Sequence, residues 1–377
     1  TRNGKAHYHH EAGQIFLRSS RNSPTGTPYY ICSEIVTMKA TQTPGPDQHS
    51  GMLLLPGGRF SMGSNHFYPE EAPVRVEEVG SFWIDETPVT VSAFSTFVHA
   101  TGYITTAERV PDLSAYPGLT QEMAYEGSMV FNAFSNGHTA TSPPWWEFRR
   151  GASWKHPLGP ESDTSRLADH PVTHITFEDA SAYAAWAGKS LPTETEWEYA
   201  ARGGLDSADY AWGDELSPNG LIMANYWQGE FPWNNTKPNG QEGTSPVRSF
   251  PPNGFGLYDM IGNVWEWTSD LWSLPGRTRS QTSGCCTARG STEAVGEDKA
   301  AASQACTIPE RVIKGGSHLC AANYCKRYRP AARHPQAVDT STSHIGFRCI
   351  IRHEQAPILQ SPGLHSSTGH IPNPEQT

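Results

Sequence analysis

No apolar run in this 377-residue chain approaches the length needed to cross a bilayer. A soluble protein is therefore expected. Charge is scarce at 18% of residues, whereas glycine and proline number 35 and 30, a balance that excludes a bundle of long surface helices and points to a loop-rich globular protein. Positive charge is the scarcer sign: 28 Lys and Arg face 38 Asp and Glu, for a net charge of -10. An acidic surface is repelled by nucleic-acid backbones and anionic membranes, so neither is expected as a partner. The chain has no internal repeat, no EF-hand loop and no second cysteine pair at zinc spacing. Its seven cysteines, an odd number, cannot all pair within one chain, which argues against a disulfide framework and for a reducing compartment.

What the chain does have is length enough for a substantial core, and 12 tryptophans suited to aromatic clusters and grooves. Residues 1–48 are polar and aperiodic and read as a disordered or weakly ordered extension; His7, His9, His10 and Glu11 there make a nonspecific chelating tail. One folded domain is expected over 49–352, with a surface insertion at 274–308 and a disordered tail at 353–377. MLLLPGG from Met52 predicts a strand entering a glycine turn, and VRVEEVGSFWID from Val74 predicts one further strand. Three helices follow from their caps. Thr90 opens one that carries Val91, Phe94, Phe97 and Val98 and ends at Gly102. Thr176 with Asp179 opens a second, stopped by Gly188, and Thr193 with Glu196 a third, closed by Gly203. This last pair reads as scaffold. The segment PPWWEFRRGASWKHP shows no period and reads as a structural loop or the lining of a peptide groove.

The chemistry is sought in GGSHLCAANYCKRYRPAARHPQAVDTSTSHIGFR, residues 315–348. Cys320 and Cys325 stand in a polar, aromatic, arginine-rich setting, and Gly315, Gly316 and Gly346 mark tight turns or close approaches. Two such thiols can form a disulfide, bind a soft metal, or provide a nucleophile. Their spacing alone does not choose. Arg327, Arg329 and Arg333 are expected to pair with carboxylates and stiffen the loop. Cys285, Cys286 and Cys306 lack a fourth ligand at regular spacing.

This segment, together with LPGGRFSMGS, HPVTHITFEDASAYAAWAGKSLPTETEWEYAARGG, ANYWQGEFPWNNT and PPNGFGLYDMIGNVWEWTSD, resembles the formylglycine-generating enzyme (sulfatase-modifying factor) family, in the family's order and over roughly residues 50–352. The resemblance implies an irregular, loop-rich α+β fold, distantly C-type-lectin-like, with little regular secondary structure. It implies that Cys320 and Cys325 hold Cu(I). It further implies an oxidase that uses O2 and a thiol reductant to convert the cysteine of a Cys-x-Pro-x-Arg motif in an unfolded sulfatase to Cα-formylglycine. Ser317 and Trp265 match positions lining the family's oxygen pocket, and two structural Ca2+ sites are implied, one at Asn225, Tyr226, Asn239 and Gln241, the other at Asp259, Gly262, Val264 and Glu266. Ca2+ accepts such carbonyl, amide and carboxylate oxygens.

Departures from the family pattern are informative too. Ala184, Ala200 and Pro330 stand where secreted relatives carry structural cysteines, leaving Cys349 without the partner it has there, so a cytoplasmic, bacterial-type monomer is expected, with a secretory compartment as the alternative. Ala321 replaces a histidine found after the first active cysteine in several relatives, and Asn239 replaces an acidic residue of the first calcium set. No H-x-x-x-H-x-E helix of the related sulfoxide synthases is present. The competing function is a noncatalytic, calcium-dependent lectin-like binding module on the same fold.

Overall fold

The computed structural model describes residues 49–116, 118–132, 145–236, 243–274 and 308–352. Residues 1–48, the tail, most of the 274–308 insertion with its three cysteines, and the expected ligands Asn239 and Gln241 lie outside the described residues. Within them the chain is mixed α+β and loop-rich. It runs β1 (Met52–Leu55), β2 (Gly58–Met62), β3 (Arg75–Val79), β4 (Phe82–Asp85), α1 (Val91–Thr101), β5 (Gly127–Phe131), β6 (Trp146–Arg150), α2 (Phe177–Trp186) and α3 (Glu194–Arg202). The two-residue strands β7 (Gly229–Glu230) and β8 (Asn234–Asn235) precede β9 (Trp265–Leu271), β10 (Glu310–Lys314), β11 (Arg333–Ala337), β12 (Ile345–Gly346) and β13 (Ile350–Arg352).

Two sheets carry the architecture. In the order β1-β4-β13, the last strand pairs beside the first ones and ties the end of the domain to its beginning; in the order β11-β10-β9-β12, only β12 runs parallel to its neighbour. The single strand expected from Val74 is in fact two. Gly80 and Ser81 separate them, and each half finds a different partner: β3 folds back on β2, and β4 enters the β1-β4-β13 sheet. Glycine is a poor interior strand residue, so the break falls there.

A second correction concerns PPWWEFRR. Its Trp146–Arg150 part is strand β6, paired in antiparallel register with β5 from Gly127↔Arg150 to Phe131↔Trp146. The sequence hides it because large groups occupy both faces: Trp146 meets Phe131 at 5.6 Å between ring centroids, while Arg149 reaches Glu147 two residues away at 2.7 Å. Cross-strand and same-face pairs of this kind stabilise a strand without apolar-polar alternation.

The helices follow their caps. The Thr90 hydroxyl accepts from the Ala93 N–H, and Thr176 and Thr193 form reciprocal capping boxes with Asp179 and Glu196. Helix α1 buries Phe94 and Phe97 against Tyr183 of α2 and Phe347. Helix α3 behaves differently. Beside Trp197 it buries Glu194, Glu198 and Arg202, and it turns that charged face toward β9 and β10.

Candidate active site in the paired-cysteine loop

The site hangs between β10 and β11. Leaving β10, the chain turns through Gly315 and Gly316, both at positive φ. A Cβ on Gly315 would lie 2.8 Å from the Met260 carbonyl oxygen, and one on Gly316 2.5 Å from that of Arg327, so only glycine lets the loop close on itself here. The loop then packs back tightly. The Cys320 N–H donates to the Ser317 carbonyl at 3.0 Å, the Trp227 N–H donates to the Cys320 carbonyl at 2.9 Å, and the Leu319 N–H donates to the Ser317 hydroxyl at 3.2 Å.

Cys320 is buried, Cys325 is half-buried, and both are free thiols. They are hydrogen-bonded to each other. That bond, with burial, pushes the Cys320 thiol well above its ordinary range, and the same bond draws Cys325 below it. The Arg327 guanidinium favours the charged form of both. The pair is thus asymmetric, with Cys320 the proton-keeping donor and Cys325 the member closer to thiolate.

Three arginines fix the loop, as their sequence setting suggested. Arg329 pairs with Glu71 through two hydrogen bonds of 2.7 and 2.5 Å, and Arg333 pairs with Glu194 through two of 2.7 and 2.9 Å. Arg327 makes one contact of 2.6 Å to Glu70 and donates a second to the Arg333 carbonyl at 2.7 Å. Planar stacking supports each: Arg327 lies 3.9 Å over Tyr68, Arg329 3.6 Å over Phe67, and Arg333 4.4 Å over Trp272. At the loop's base, buried Lys314 meets Glu198 at 2.8 Å, and Arg202 meets the same carboxylate at 2.6 Å. Helix α3, expected as scaffold alone, therefore supplies two of the carboxylates that hold the cysteine loop. Sequence reasoning missed Glu70, Glu71, Glu194 and Glu198, because nothing in their spacing points to the arginines and the lysine more than a hundred residues on that they meet.

Trp265 and Ser317 are both buried; the Trp265 N–H donates to the His344 carbonyl, and Trp265 shares one core cluster with Cys320. On the open side, exposed Tyr324 stacks on Phe231 at 4.6 Å and meets Trp145 edge-on at 5.2 Å, while Trp227 packs on Phe231 at 5.1 Å. These rings make an aromatic wall beside Cys325.

Of the other expected ligands, Asn225 and Tyr226 lie just before β7, and Asp259, Gly262, Val264 and Glu266 lie in the loop before β9 and at its start. Asn225 donates to the Gly243 carbonyl at 3.0 Å, its own carbonyl accepts from the Asn263 N–H at 2.7 Å, and the Tyr226 carbonyl accepts from the Gln228 side chain at 3.3 Å. Asp259 is held by the Arg248 N–H at 3.0 Å and the Asn263 amide at 3.3 Å, and burial pushes its carboxyl upward. Glu266 is engaged by two hydrogen bonds from Arg348, at 2.8 and 2.9 Å, and by the Trp197 indole N–H at 2.7 Å. Gly262 and Val264 are buried between them. This loop is joined to the cysteine loop, since the Gly262 N–H donates to the Gly315 carbonyl and the His318 N–H to the Asn263 carbonyl. Among the described residues, no three His, Cys, Asp or Glu side chains are grouped to hold a metal. A zinc-type four-ligand set thus has no counterpart among the described residues.

The site is thus a pair of free cysteines in an arginine-clamped loop on an irregular α+β scaffold. The Sulfatase-modifying factor enzyme 1-like domain matches residues 38–353, and the chain belongs to that family. It is 49% identical over 307 residues to the formylglycine-generating enzyme of Mycobacterium tuberculosis, covering 79% of this chain and 97% of that one. It is 35% identical over 313 residues to a Bos taurus relative named an inactive C-alpha-formylglycine-generating enzyme 2, covering 81% and 89%. The solved structure of PvdO from Pseudomonas aeruginosa aligns with a TM-score of 0.49 at 23% identity, covering 80% of this chain and 94% of that one. Among the described residues, no helix is long and apolar enough to cross a membrane.

Proposed function

We propose that this chain matures sulfatases: it oxidises the cysteine of a Cys-x-Pro-x-Arg segment to Cα-formylglycine, with O2 as oxidant and a thiol as reductant. The observation that carries the reading is the Cys320–Cys325 pair, free, mutually hydrogen-bonded and largely removed from water, in a chain of this family. Two facing sulfurs fit Cu(I), which accepts two thiolates in a near-linear array. When bound, the metal supplies one-electron chemistry with O2 and a place for a third soft ligand. The residues of the chain do the rest. Cys320 and Cys325 give up their protons and hold the cation, and the aromatic wall of Trp145, Phe231 and Tyr324 offers an apolar surface for the peptide beside them. The Ser317 hydroxyl, which already accepts from Leu319, keeps its proton to donate toward oxygen, and Trp265 offers an indole N–H. The substrate loses a hydrogen from Cβ, and the thioaldehyde so formed takes up water and releases its sulfur as hydrogen sulfide. The balance consumes one O2, two electrons from the thiol reductant and two protons, and releases one water.

Two structural Ca2+ ions complete the proposal. Asp259, Glu266 and the Gly262 and Val264 carbonyls would hold one; the half-buried Asp259 carboxyl, hydrogen-bonded only by neutral donors, fits a hard cation there. Asn225, the Tyr226 carbonyl, Asn239 and the Gln241 carbonyl would hold the other. We place the protein in the cytoplasm as a monomer. The test is mass spectrometry of a Cys-x-Pro-x-Arg peptide incubated with copper-loaded protein, a thiol reductant and air. Aldehyde formation that requires copper is the expected result. A copper-loaded sample that leaves the peptide intact would instead support a noncatalytic, calcium-dependent binding module, a reading kept alive by the relative named inactive.

A further inference from the structure

The loop before β9 meets the cysteine loop at Asn263. This residue is fully buried and sits at φ 56°, in the left-handed region where asparagine is one of the few side chains tolerated. Its carboxamide is engaged at both ends. Oδ1 accepts from the Ser245 N–H at 2.9 Å and from the Asn225 amide at 3.3 Å, while Nδ2 donates to the Ser245 carbonyl at 3.1 Å and to Asp259 Oδ1 at 3.3 Å. Its backbone is engaged as fully. The N–H donates to the Asn225 carbonyl at 2.7 Å, and the carbonyl accepts twice from His318, from the N–H at 3.0 Å and from ring Nδ1 at 2.9 Å. A carbonyl only accepts, so the His318 ring is held with a proton on Nδ1. One residue earlier in the chain, the Ser317 N–H donates to Cys320 Sγ at 3.5 Å. Contacts thus lead from the Asp259 carboxylate through the side chain and main chain of Asn263 to His318, and from its neighbour Ser317 to the Cys320 sulfur.

Two of the groups assigned above to a Ca2+ ion, the Gly262 and Val264 carbonyls, flank Asn263 in the chain, and a third, Asp259, touches its side chain. An ion held by those groups would restrain the dihedral angles of Asn263 from both sides, and the carbonyl that carries His318 moves with them. We propose that Asn263 is a positioning residue that couples calcium in this loop to the shape of the cysteine loop. Ion binding narrows Asn263 to its left-handed conformer, and that conformer seats His318, which sets the Ser317 N–H on Cys320. This inference rests on the calcium part of the proposal above. Calcium then acts on residues 315–320 although none of them is among its ligands.

The test is amide hydrogen exchange of the full, metal-stripped chain with calcium and with chelator, read by mass spectrometry beside a calcium titration. In the parent, calcium is expected to slow exchange in the 315–320 segment by at least about fivefold, the lower end of ordinary coupling between sites. Helix α1, packed on α2 and Phe347, is the reference, because a purely global stabilisation would slow both segments alike. Asn263→Gly keeps access to the left-handed conformer but lacks the carboxamide; it should still bind calcium through the remaining groups and lose most of the extra slowing. His318→Phe removes the ring bond to the Asn263 carbonyl and leaves the backbone one, so it should bind calcium as the parent does and lose part of that slowing. Far-ultraviolet circular dichroism identifies a variant that fails to fold, and His318→Phe decides if Asn263→Gly fails to fold or to bind calcium. A parent that binds calcium yet slows 315–320 no more than α1 overturns the coupling and leaves the calcium site standing. Parent-like slowing in folded, calcium-binding Asn263→Gly, or in His318→Phe where that variant decides, overturns it as well. A parent that binds no calcium overturns the calcium site and this inference together.

Discussion

The cysteine loop and the Asp259–Glu266 loop lie side by side, joined by the Gly262 to Gly315 and His318 to Asn263 backbone bonds, yet they balance buried charge in opposite ways. In the first, the fixed cations Arg327, Arg329 and Arg333 each meet a carboxylate delivered from a distant element. That loop holds its shape with protein groups alone. In the second, Glu266 has Arg348, whereas the half-buried Asp259 carboxylate accepts its hydrogen bonds from a backbone N–H and an amide, with the Arg348 charge acting on it only from a distance. Carboxylates left this way cost free energy that a bound cation offsets. The comparison separates a loop whose fixed charges are paired residue by residue from one in which a carboxylate accepts from neutral donors alone.

The largest effect should come from breaking the chemistry of the cysteine loop while sparing its shape. Cys320→Ser and Cys325→Ser should each abolish copper-dependent peptide conversion, because a hydroxyl is a poor ligand for Cu(I), while the circular dichroism spectrum stays that of the parent. Retained conversion in either variant would remove the pair from the mechanism. Next in size is breaking the shape itself. Glu71→Gln leaves Arg329 buried without its counter-ion, and loss of one member of a buried pair typically costs about 3–5 kcal/mol. Urea unfolding should show it as a lowered midpoint with little change in slope, and a midpoint equal to the parent's would mean the clamp contributes nothing net.

The Asp259–Glu266 loop should respond to an ion instead. Calcium at a hundredfold excess over its dissociation constant would add about 2.7 kcal/mol to the parent. Asp259→Asn should lose most of that gain while losing little stability in chelator, since a neutral amide no longer carries a partly desolvated charge. A parent whose thermal midpoint ignores both calcium and chelator would show that the Arg248 and Asn263 donors satisfy Asp259 unaided.

How much of this was readable in the chain follows the range of each interaction. The three helices were legible because their caps are local: Thr90, Thr176 and Thr193 act on residues within one turn. The turn at Gly315 and Gly316 was legible for the same reason. That Arg327, Arg329 and Arg333 would pair was foreseeable, since buried arginines require acceptors, but not with which acid: Glu70 and Glu71 lie 257 and 258 residues away. Strand β6 escaped because its partner β5 had not been read as a strand, and Phe131 facing Trp146 shows no alternation to count. The charged face of α3 escaped for a subtler reason. Glu194, Glu198 and Arg202 look like a solvated helix surface until Lys314 and Arg333 are placed against them.

The smallest predicted effect sharpens the contrast within the cysteine loop. Its two thiols share one hydrogen bond but not its consequence: Cys320, buried, is pushed up by that bond and by desolvation, whereas Cys325 is drawn down by it, with help from Arg327. In metal-free protein a thiol-alkylating reagent should therefore modify Cys325 first, beginning at a lower pH than an ordinary cysteine requires, with Cys320 following slowly. Cys320→Ala removes the donor and should slow alkylation of Cys325 severalfold near neutral pH, while Cys320→Ser, which keeps a donor, should slow it less. Peptide mapping after short exposures separates the two sites. Equal rates at Cys320 and Cys325 in the parent would mean that the thiols do not lean on one another, and that neither is poised as the more anionic partner.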